Sequence, residues 1–195
     1  MPRVLVLASA SPARLGLLRA AGLDPVVMVS GVDEDLACSC PRELVHELAV
    51  RKAGAVRAPA GALVVGCDSL LELDGEGLGK PGTAQVALAR WQRMRGRTGT
   101  LLTGHCVVDT ATGRRASGVG ATVVRFGSPS DDELAAYVGS GEPLHVAGGF
   151  TLDGRSAPYI EGIDGDPGNV IGLSLPLLRR LLAELGVAVH ELWRP

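Results

Sequence analysis

Lysine and asparagine are nearly missing from this chain of 195 residues. Of its 19 basic residues only Lys52 and Lys80 are lysine, and Asn169 is its only asparagine. This composition is typical of a GC-rich coding bias, under which arginine replaces lysine wherever either side chain serves. The two lysines therefore either survive by chance or mark places where a compact ammonium group is needed rather than a planar guanidinium group.

A strong positive charge is also missing. The net charge of -2 provides no field for general nucleic-acid binding, which needs a clustered positive surface. A local site for an anionic ligand remains compatible with this charge. With 46% hydrophobic and 21% charged residues, the chain can bury a core in one domain.

Several sequence signatures are absent. The cysteines (Cys38, Cys40, Cys67 and Cys106) form no paired CxxC set, which disfavours a zinc site and favours reduced thiols. The chain has no GxxxxGK[ST] loop and no GxSxG elbow, which disfavours a P-loop site and a serine nucleophile. The apolar run at 4–8 is too short to cross a bilayer. We therefore expect a cytoplasmic protein that binds neither membranes nor nucleic acids.

The apolar patterns predict an α/β chain, 1–195, with a mixed twisted sheet and flanking helices in a single domain. The predicted strands are 3–8, 25–29, 62–67, 100–109 and 114–126, with a hairpin at 70–79. The predicted helices are 12–21, 41–57, 83–95 and 174–186. A further helix is predicted to be capped by the segment 128–133 and to end near residue 139. Residues 141–173 are expected to form a structured loop region with short strands, and the end of the chain a strand-like tail.

The turn between the first strand and the first helix carries Ser9, Ser11 and Arg14. A strand-to-helix turn presents free backbone N–H groups and the positive end of the helix dipole, which suits a phosphate group. The spacing alone slightly favours the simpler interpretation, in which Ser11 caps the helix and Arg14 is solvated.

Asp68 and Ser69 follow the continuous apolar run that predicts a buried strand. An aspartate at a strand end can bind Mg²⁺ or act as a base toward water, although turn-forming aspartates are common. If the loop at Asp74 and Gly75 has two residues, Ser69 faces Lys80; if it has three, Asp68 does. Either register brings Lys80 to the level of Asp68, as a site cation or as a surface ion pair.

Two further residues could complete a charged site. Lys52 continues the apolar line of Leu44 and Leu48 along its helix, an unusual position unless the ammonium reaches a ligand or snorkels to water. Glu34 lies in an acidic loop and could be a second carboxylate for Mg²⁺, although the loop alone favours a solvated residue. His105 and His145 lie near apparent strand ends without a partner that sequence can assign.

Taken together, these residues resemble the Maf family of nucleotide pyrophosphatases, also called septum-formation proteins. The resemblance covers almost 170 residues in order. Its motifs are LASASPAR (7–14), GVDED (31–35), Lys52-Ala53, VVGCDS (64–69), GKP (79–81), TGH (103–105), GEPLHVAGGFTLDG (141–154) and NVIGLSLPLL (169–178).

The resemblance implies a two-lobed α/β fold around a central cleft, similar to inosine-triphosphate pyrophosphatases and usually dimeric. It implies hydrolysis of nucleoside triphosphates, modified ones included, to the monophosphate and pyrophosphate, with a divalent metal, Mg²⁺ or Mn²⁺. The catalytic acidic residue of the family matches Asp68, and its upstream carboxylate matches Glu34. Its phosphate-handling positions match Ser9, Ser11, Arg14, Lys52 and Lys80.

Three positions tied to base choice in the family match Ala13, Ser69 and Asp153. Many relatives carry Arg or Trp at the first, Thr or Gln at the second, and Gln or Glu at the third. This chain has none of these residues, so the resemblance assigns no preferred base. The stretch 154–158 also departs from the glycine-rich loop of relatives.

The resulting hypothesis is that a metal held by Asp68 and Glu34 bridges the triphosphate of the substrate. Lys52, Lys80 and Arg14 would neutralise charge as water attacks the α-phosphorus, with Asp68 activating the water directly or through the metal. The alternatives are a nucleotide-binding regulator of cell division that does not hydrolyse its ligand, and a phosphate-releasing or phosphate-transferring enzyme. The reaction products would separate these possibilities.

Overall fold

The structure is a computed structural model that describes residues 3–36 and 40–193. Its strands are β1 (Leu5–Leu7), β2 (Val26–Val27), β3 (Leu63–Leu73), β4 (Glu76–Leu78), β5 (Thr98–Asp109), β6 (Arg115–Phe126) and β7 (Ile160–Asp164). Its α-helices are α1 (Pro12–Ala20), α2 (Pro41–Ala55), α3 (Ala84–Met94), α4 (Asp131–Gly139), α5 (Pro167–Ile171) and α6 (Leu175–Glu184). Four short 3₁₀ turns lie at Glu142–His145, Ala147–Gly149, Ala157–Tyr159 and Val189–Leu192.

The seven strands of the described residues belong to one sheet with the order β2-β1-β3-β5-β6-β7, and β4 pairs with β3. β1 is parallel to β2 and β3, whereas the pairs β3–β5, β5–β6 and β6–β7 are antiparallel. The fold class predicted from the sequence, a mixed α/β sheet with flanking helices, is therefore confirmed. The division into two lobes stays a prediction.

Alternation of side chains along β3 separates the two faces of the sheet. Val64 packs with Ala49 and Ala53 of α2 on one face. Val65 and Cys67 pack with helices α1 and α6 on the other. Further along that second face, Leu71 joins an aromatic cluster beneath α3 and α4. Asp68 therefore belongs to the face of α2, and Ser69 belongs to the opposite face.

Two glycines allow α2 to lie directly against the sheet. A Cβ on Gly66 would lie 2.4 Å from the carbonyl oxygen of Ala49, and one on Gly104 would lie 2.0 Å from that of Val45. Gly104 is the cross-strand partner of Asp68. The missing side chains therefore bring the backbone of α2 close to the strand that carries Asp68.

The sequence prediction ended the third strand too early. It placed Asp68 at the end of a strand 62–67, but β3 continues to Leu73, and Asp68 and Ser69 lie within it. The low strand propensity of Asp and Ser is overridden because β5 pairs with β3 through this segment. The predicted strand 25–29 is also shorter, with two residues in β2.

The hairpin loop has the two-residue register. Leu73 pairs with Glu76, and both loop residues, Asp74 and Gly75, have positive φ angles of 55° and 80°. The predicted strand-like tail is wrong in its main part, because Val189–Leu192 is a 3₁₀ turn, and of the tail residues described up to Trp193 only Trp193 forms a bridge, to Leu23.

Candidate active site at the open edge of β3

One edge of β3 is left open between two strands that approach it from opposite ends. β1 pairs with β3 up to Leu7 opposite Val65, and β4 pairs with it up to Leu78 opposite Leu71. Within the described residues, the stretch 66–70 therefore has β5 on one side and no strand on the other. Both β1 and β4 point their carboxyl ends into this gap, where ligands of α/β sheets commonly bind.

A buried lysine joins two carboxylates on the α2 face of this gap. The Nζ atom of Lys52 lies 2.6 Å from Oδ1 of Asp68 and 2.5 Å from Oε1 of Glu34. The side chain of Lys52 is 9% exposed, that of Asp68 is 14% exposed and that of Glu34 is 54% exposed. The structure thus brings together three residues that the sequence predicted for the site.

The charge of the site acts most visibly on Glu34. Partial burial opposes ionisation, but the hydrogen bond from Lys52 and the charges of Lys52, Lys80 and Arg14 hold the pKa of Glu34 below its ordinary value of 4.5. Lys80 is exposed and, among the described residues, makes no hydrogen bond or ion pair. Its positive charge helps to lower the pKa of Glu34, and its exposed ammonium group is accessible to a ligand.

Arg14 occupies the opposite face of the gap and is buried. Its Nε donates to the carbonyl oxygen of Gly172 (2.8 Å), and its Nη1 donates to that of Cys67 (2.9 Å). Nη1 also donates to Oγ of Ser9 (3.1 Å), and Nη2 donates to Oγ of Ser69 (3.1 Å). The solvated arginine of the simpler interpretation is wrong, because the guanidinium group connects the residue after β1 and the end of α5 to the middle of β3.

Ser9 and Ser11 lie at the start of α1, next to this arginine. Ser11 caps the helix by accepting a hydrogen bond from the backbone N–H of Arg14 (3.3 Å), as the sequence predicted. The N–H of Ser11 in turn donates to Oγ of Ser9 (3.2 Å). The two hydroxyl groups therefore lie at the positive end of the helix dipole, a suitable place for an anion.

A chain of buried polar groups continues inward from Ser69. Its Oγ lies 2.9 Å from Oγ1 of Thr103, which donates to the carbonyl oxygen of Asn169 (2.9 Å). The Nδ2 of Asn169 donates to the carbonyl oxygen of Leu101 (3.1 Å) and to Oγ1 of Thr122 (3.2 Å). Thr103 and Thr122 are fully buried. This series of buried hydrogen bonds holds Ser69 in position from its buried side.

His105 lies within β5 rather than at a strand end, and it supports the same face. Its Nδ1 donates to the carbonyl oxygen of Thr103 (2.9 Å), and its Nε2 accepts from the N–H of Ser174 (2.8 Å), the cap of α6. Burial lowers the pKa of His105 from 6.5 to about 4. The imidazole is therefore a neutral structural connector near pH 7. His145 is exposed in a 3₁₀ turn.

Cys67 and Cys106 are buried on opposite faces of the sheet. Burial raises the pKa of each thiol to about 11. Both thiols are therefore protonated near pH 7 and are poor nucleophiles. Cys38, part of the CxC sequence, lies outside the described residues.

No hydrogen bond joins the predicted base-choice residues to one another. Ala13 is exposed on α1 and Ser69 is half-buried beside Arg14. Asp153 is exposed and accepts a hydrogen bond from the hydroxyl group of Thr151 within its own loop. A cavity of about 540 Å³ lies elsewhere, beside the outer face of α2, and none of its lining residues belongs to the predicted site.

Two carboxylates with phosphate oxygens are a common donor set for Mg²⁺, so Asp68 and Glu34 fit such a cation when substrate completes the site. No cluster of three or more His, Cys, Asp or Glu residues that could hold a metal alone occurs in the ranges 3–36 and 40–193. The part of the chain that the structure describes also has no helix long and apolar enough to span a membrane.

The family described as Maf-like protein matches residues 4–185 of this chain. The chain belongs to this family. The match spans both faces of the open β3 edge, including Ser9, Arg14, Lys52, Asp68 and Asn169. It agrees with the resemblance that the sequence motifs carry.

Relatives of this Maf-like chain share most of its length. A protein of Streptomyces coelicolor is 68% identical over 197 residues, covering 99% of this chain and 96% of its own, and is named nucleoside triphosphate pyrophosphatase. A protein of Salinispora tropica with the same name is 57% identical and covers 99% of this chain and 88% of its own.

Among solved structures, a HAM1 protein from Coxiella burnetii matches 93% of this Maf-like chain and 99% of its own, with 15% identity and a TM-score of 0.49. The Staphylococcus aureus Ham1 protein matches 64% of this chain and 72% of its own, with 17% identity and a TM-score of 0.45.

Sequence reasoning missed the residues that support the predicted ones. Gly66 and Gly104 lie inside the motifs VVGCDS and TGH, where a glycine within a strand could have indicated close backbone approach. Thr103 and Asn169 also lie in quoted motifs, but only the fold brings them into contact. Gly172 contributes a backbone carbonyl oxygen, for which the sequence carries no side-chain signal.

Proposed function

We propose that this Maf-like protein hydrolyses nucleoside triphosphates to the monophosphate and pyrophosphate. The observation that carries the proposal is the convergence of Lys52, Asp68 and Glu34 in the β3 gap, across the strand from Arg14. The name nucleoside triphosphate pyrophosphatase, borne by relatives at 57–68% identity, supports the same reaction.

The triphosphate is proposed to lie along the gap. Ser9, Ser11 and the start of α1 offer hydroxyl groups and a positive helix end to phosphate oxygens. Lys52 and Lys80 supply positive charge from the other side, and Lys80 is exposed and so free to move toward the ligand. Charge that develops on the leaving pyrophosphate would be stabilised by these cations.

In the proposed step, the oxygen of a water molecule attacks the α-phosphorus as the bond to the α–β bridging oxygen breaks. Asp68 accepts the proton of the water, and pyrophosphate departs with the electron pair of the broken bond. Lys52 orients the carboxylate of Asp68 through their 2.6 Å contact. Arg14 stays a neighbour of the phosphate end, because four of its five N–H donors are already committed to oxygen atoms of the protein.

Asp68 and Glu34 are the residues proposed to hold a divalent cation, Mg²⁺ or Mn²⁺. When bound, such a cation would neutralise phosphate oxygens and polarise the phosphorus. The ammonium group of Lys52 joins the same two carboxylates. The proposed role of Lys52 therefore includes keeping these acidic side chains together before substrate arrives.

The test is pyrophosphate release from a panel of nucleoside triphosphates with Mg²⁺, comparing the parent protein with Asp68→Asn. We expect Asp68→Asn to lower turnover by at least about a thousandfold, because the proton acceptor and a metal ligand are both lost. Asp131→Asn is the matched control, since Asp131, the first residue of α4, is 73% exposed and pairs with Arg95 at the end of α3. Circular dichroism would check that both variants keep the fold.

Unchanged pyrophosphate release in Asp68→Asn would contradict the assignment. Orthophosphate as the product would indicate a different phosphohydrolase, and tight nucleotide binding without product would indicate a non-hydrolytic regulator. A house-cleaning role toward modified nucleotides, a homodimer and a cytoplasmic location stay predictions. So does the assignment of Ala13, Ser69 and Asp153 to base choice.

A further inference from the structure

The two hydroxyl groups bonded to Arg14 differ in what they can offer a ligand. A serine hydroxyl group has one hydrogen to donate and two lone pairs to accept with. Arg14 donates to both Ser9 and Ser69 and so uses one lone pair on each oxygen. The remaining hydrogen and lone pair of each serine are assigned by its other neighbour.

At Ser69 that neighbour is Thr103, whose own hydrogen is already committed. Oγ1 of Thr103 lies 2.9 Å from the carbonyl oxygen of Asn169, and a carbonyl oxygen can only accept. Thr103 is fully buried and Asn169 is 1% exposed, so the bond is sheltered from solvent. Since Thr103 donates to Asn169, the 2.9 Å contact between Thr103 and Ser69 must use the hydrogen of Ser69.

Ser69 is thereby left with one free lone pair and no hydrogen. Its side chain is half-buried at the open edge of β3, so this lone pair is available to a ligand. We propose that Thr103 is a positioning residue that makes the Ser69 hydroxyl group a pure hydrogen-bond acceptor. Ser69 then selects substrates that place an N–H or O–H donor against it, and it repels groups that carry a lone pair there.

Ser9 has the opposite polarity. Its Oγ accepts from Arg14 (3.1 Å) and from the N–H of Ser11 (3.2 Å), which uses both lone pairs. Its hydrogen is therefore left for a ligand oxygen. Arg14 donates to both serines alike, and their other neighbours make Ser9 a donor suited to an anionic phosphate oxygen and Ser69 an acceptor unsuited to one.

This inference rests on the proposed function, because it names what a nucleotide must offer at Ser69. The donor is an N–H group of the base or a hydroxyl group of the sugar. Two pairs of substrates test a donor on the base: UTP against its N3-methyl analogue, and GTP against its N1-methyl analogue. Two further pairs test a donor on the sugar: UTP against its 2′-deoxy analogue, and UTP against its 3′-deoxy analogue. In each pair, the analogue lacks one hydrogen-bond donor that the parent nucleotide carries.

The experiment measures kcat/KM for pyrophosphate release and Kd by calorimetry for each pair. In the parent protein, we expect removal of the donor in one pair to lower kcat/KM at least fivefold, roughly the effect of leaving a buried polar group unpaired. In Ser69→Ala, the two substrates of that pair should have equal kcat/KM values. Thr103→Val should lower the ratio of the two values at least about threefold, because the Ser69 hydrogen is released and can turn to the ligand.

Two matched variants separate positioning from general structural support. Thr103→Ser keeps the hydroxyl group and should keep the parent ratio. Thr122→Val removes another fully buried hydroxyl group bonded to Asn169 without touching Ser69, and should also keep the ratio whatever its effect on stability. If Thr103→Val does not fold, the loss of the ratio in Ser69→Ala still decides whether Ser69 accepts from the ligand.

Equal kcat/KM and equal Kd for every pair in the parent protein would overturn the inference while leaving pyrophosphate hydrolysis standing. An unchanged ratio in Thr103→Val would overturn the role of Thr103. Absence of pyrophosphate release from all substrates would refute the proposed function instead, and the Kd ratios would still test the polarity of Ser69.

Discussion

The two faces of β3 carry different kinds of polar site, although Asp68 and Ser69 are neighbours in sequence. On the α2 face, one ammonium group joins two carboxylates, and Glu34 is 54% exposed. On the opposite face, one guanidinium group joins hydroxyl and carbonyl oxygens, with Thr103 and Asn169 sealed behind it. The first face can exchange its partners for a ligand, whereas most hydrogen-bonding groups of the second are already paired within the protein.

This difference indicates a division of labour. A charged cluster that is open to solvent can take up a cation, a phosphate group or a proton with small rearrangement. A buried network of fixed hydroxyl groups loses free energy whenever one member is left unpaired, so it holds geometry rather than reacting. The α2 face is thus suited to chemistry, and the Arg14 face to positioning. Three changes would break or sharpen this contrast.

The largest effect is expected from Gly104→Ala, which separates α2 from the sheet. The added Cβ would lie 2.0 Å from the carbonyl oxygen of Val45, so the helix must shift and carry Lys52 away from Asp68. We expect a loss of at least about 3 kcal/mol in the free energy of unfolding, together with loss of pyrophosphate release. Urea denaturation and the release assay would measure both.

Gly118→Ala is the matched control in the next strand, β6. A Cβ there would meet a side-chain carbon of Leu177 at 3.5 Å, an ordinary van der Waals contact. We expect Gly118→Ala to change both quantities little. A Gly104→Ala protein as stable and active as the parent would show that Lys52 does not depend on close contact between α2 and the sheet.

The second effect on stability is expected from replacing each of the two buried cations, Arg14 and Lys52, by the other residue type. Arg14→Lys keeps the charge but cannot reach four oxygen atoms, so at least one buried carbonyl oxygen, of Gly172 or Cys67, loses its partner. We expect it to cost about 2 to 3 kcal/mol of unfolding free energy. Lys52→Arg can still join Asp68 and Glu34 and should lose less stability. Equal losses in the two variants would remove the distinction between the faces.

The third effect is a pH dependence of the free energy of unfolding, and it arises on the Arg14 face. The pKa of His105 is near 4 in the folded chain and 6.5 without burial, so the unfolded chain binds the proton more tightly. The stability contributed by neutral His105 is therefore present above pH 6.5 and is lost as the pH falls toward 4. Between pH 7 and pH 5 we expect a loss of about 2 kcal/mol.

Urea denaturation at several pH values would measure this loss, with His105→Gln as the comparison. The variant should be less stable at pH 7, because Thr103 and Ser174 lose their imidazole partner, but its stability should fall less between pH 7 and pH 5. A parallel pH profile in both proteins would show that His105 does not carry the effect.

Much of the fold could be predicted from local patterns. Pro12 after Ser11, the apolar line of Leu48 and Lys52, and the Asp74-Gly75 turn predicted α1, the buried face of α2 and a hairpin, whose two-residue register only the strand pairing decided. The end of β3 could not be predicted in this way. Asp68 and Ser69 resemble a turn locally, and only pairing with β5 keeps them in a strand.

The sequence by itself determined which residues could carry the chemistry, because carboxylates, ammonium groups and hydroxyl groups are visible in the chain before it folds. It also placed Lys52 on the apolar line of its helix. Only the tertiary structure decided that Asp68 and Ser69 work on opposite faces, that Arg14 is buried, and that Thr103 directs the Ser69 hydrogen. These outcomes depend on contacts between residues as far apart as Arg14 and Gly172, and a hydrogen bond takes its direction from every group that meets at it.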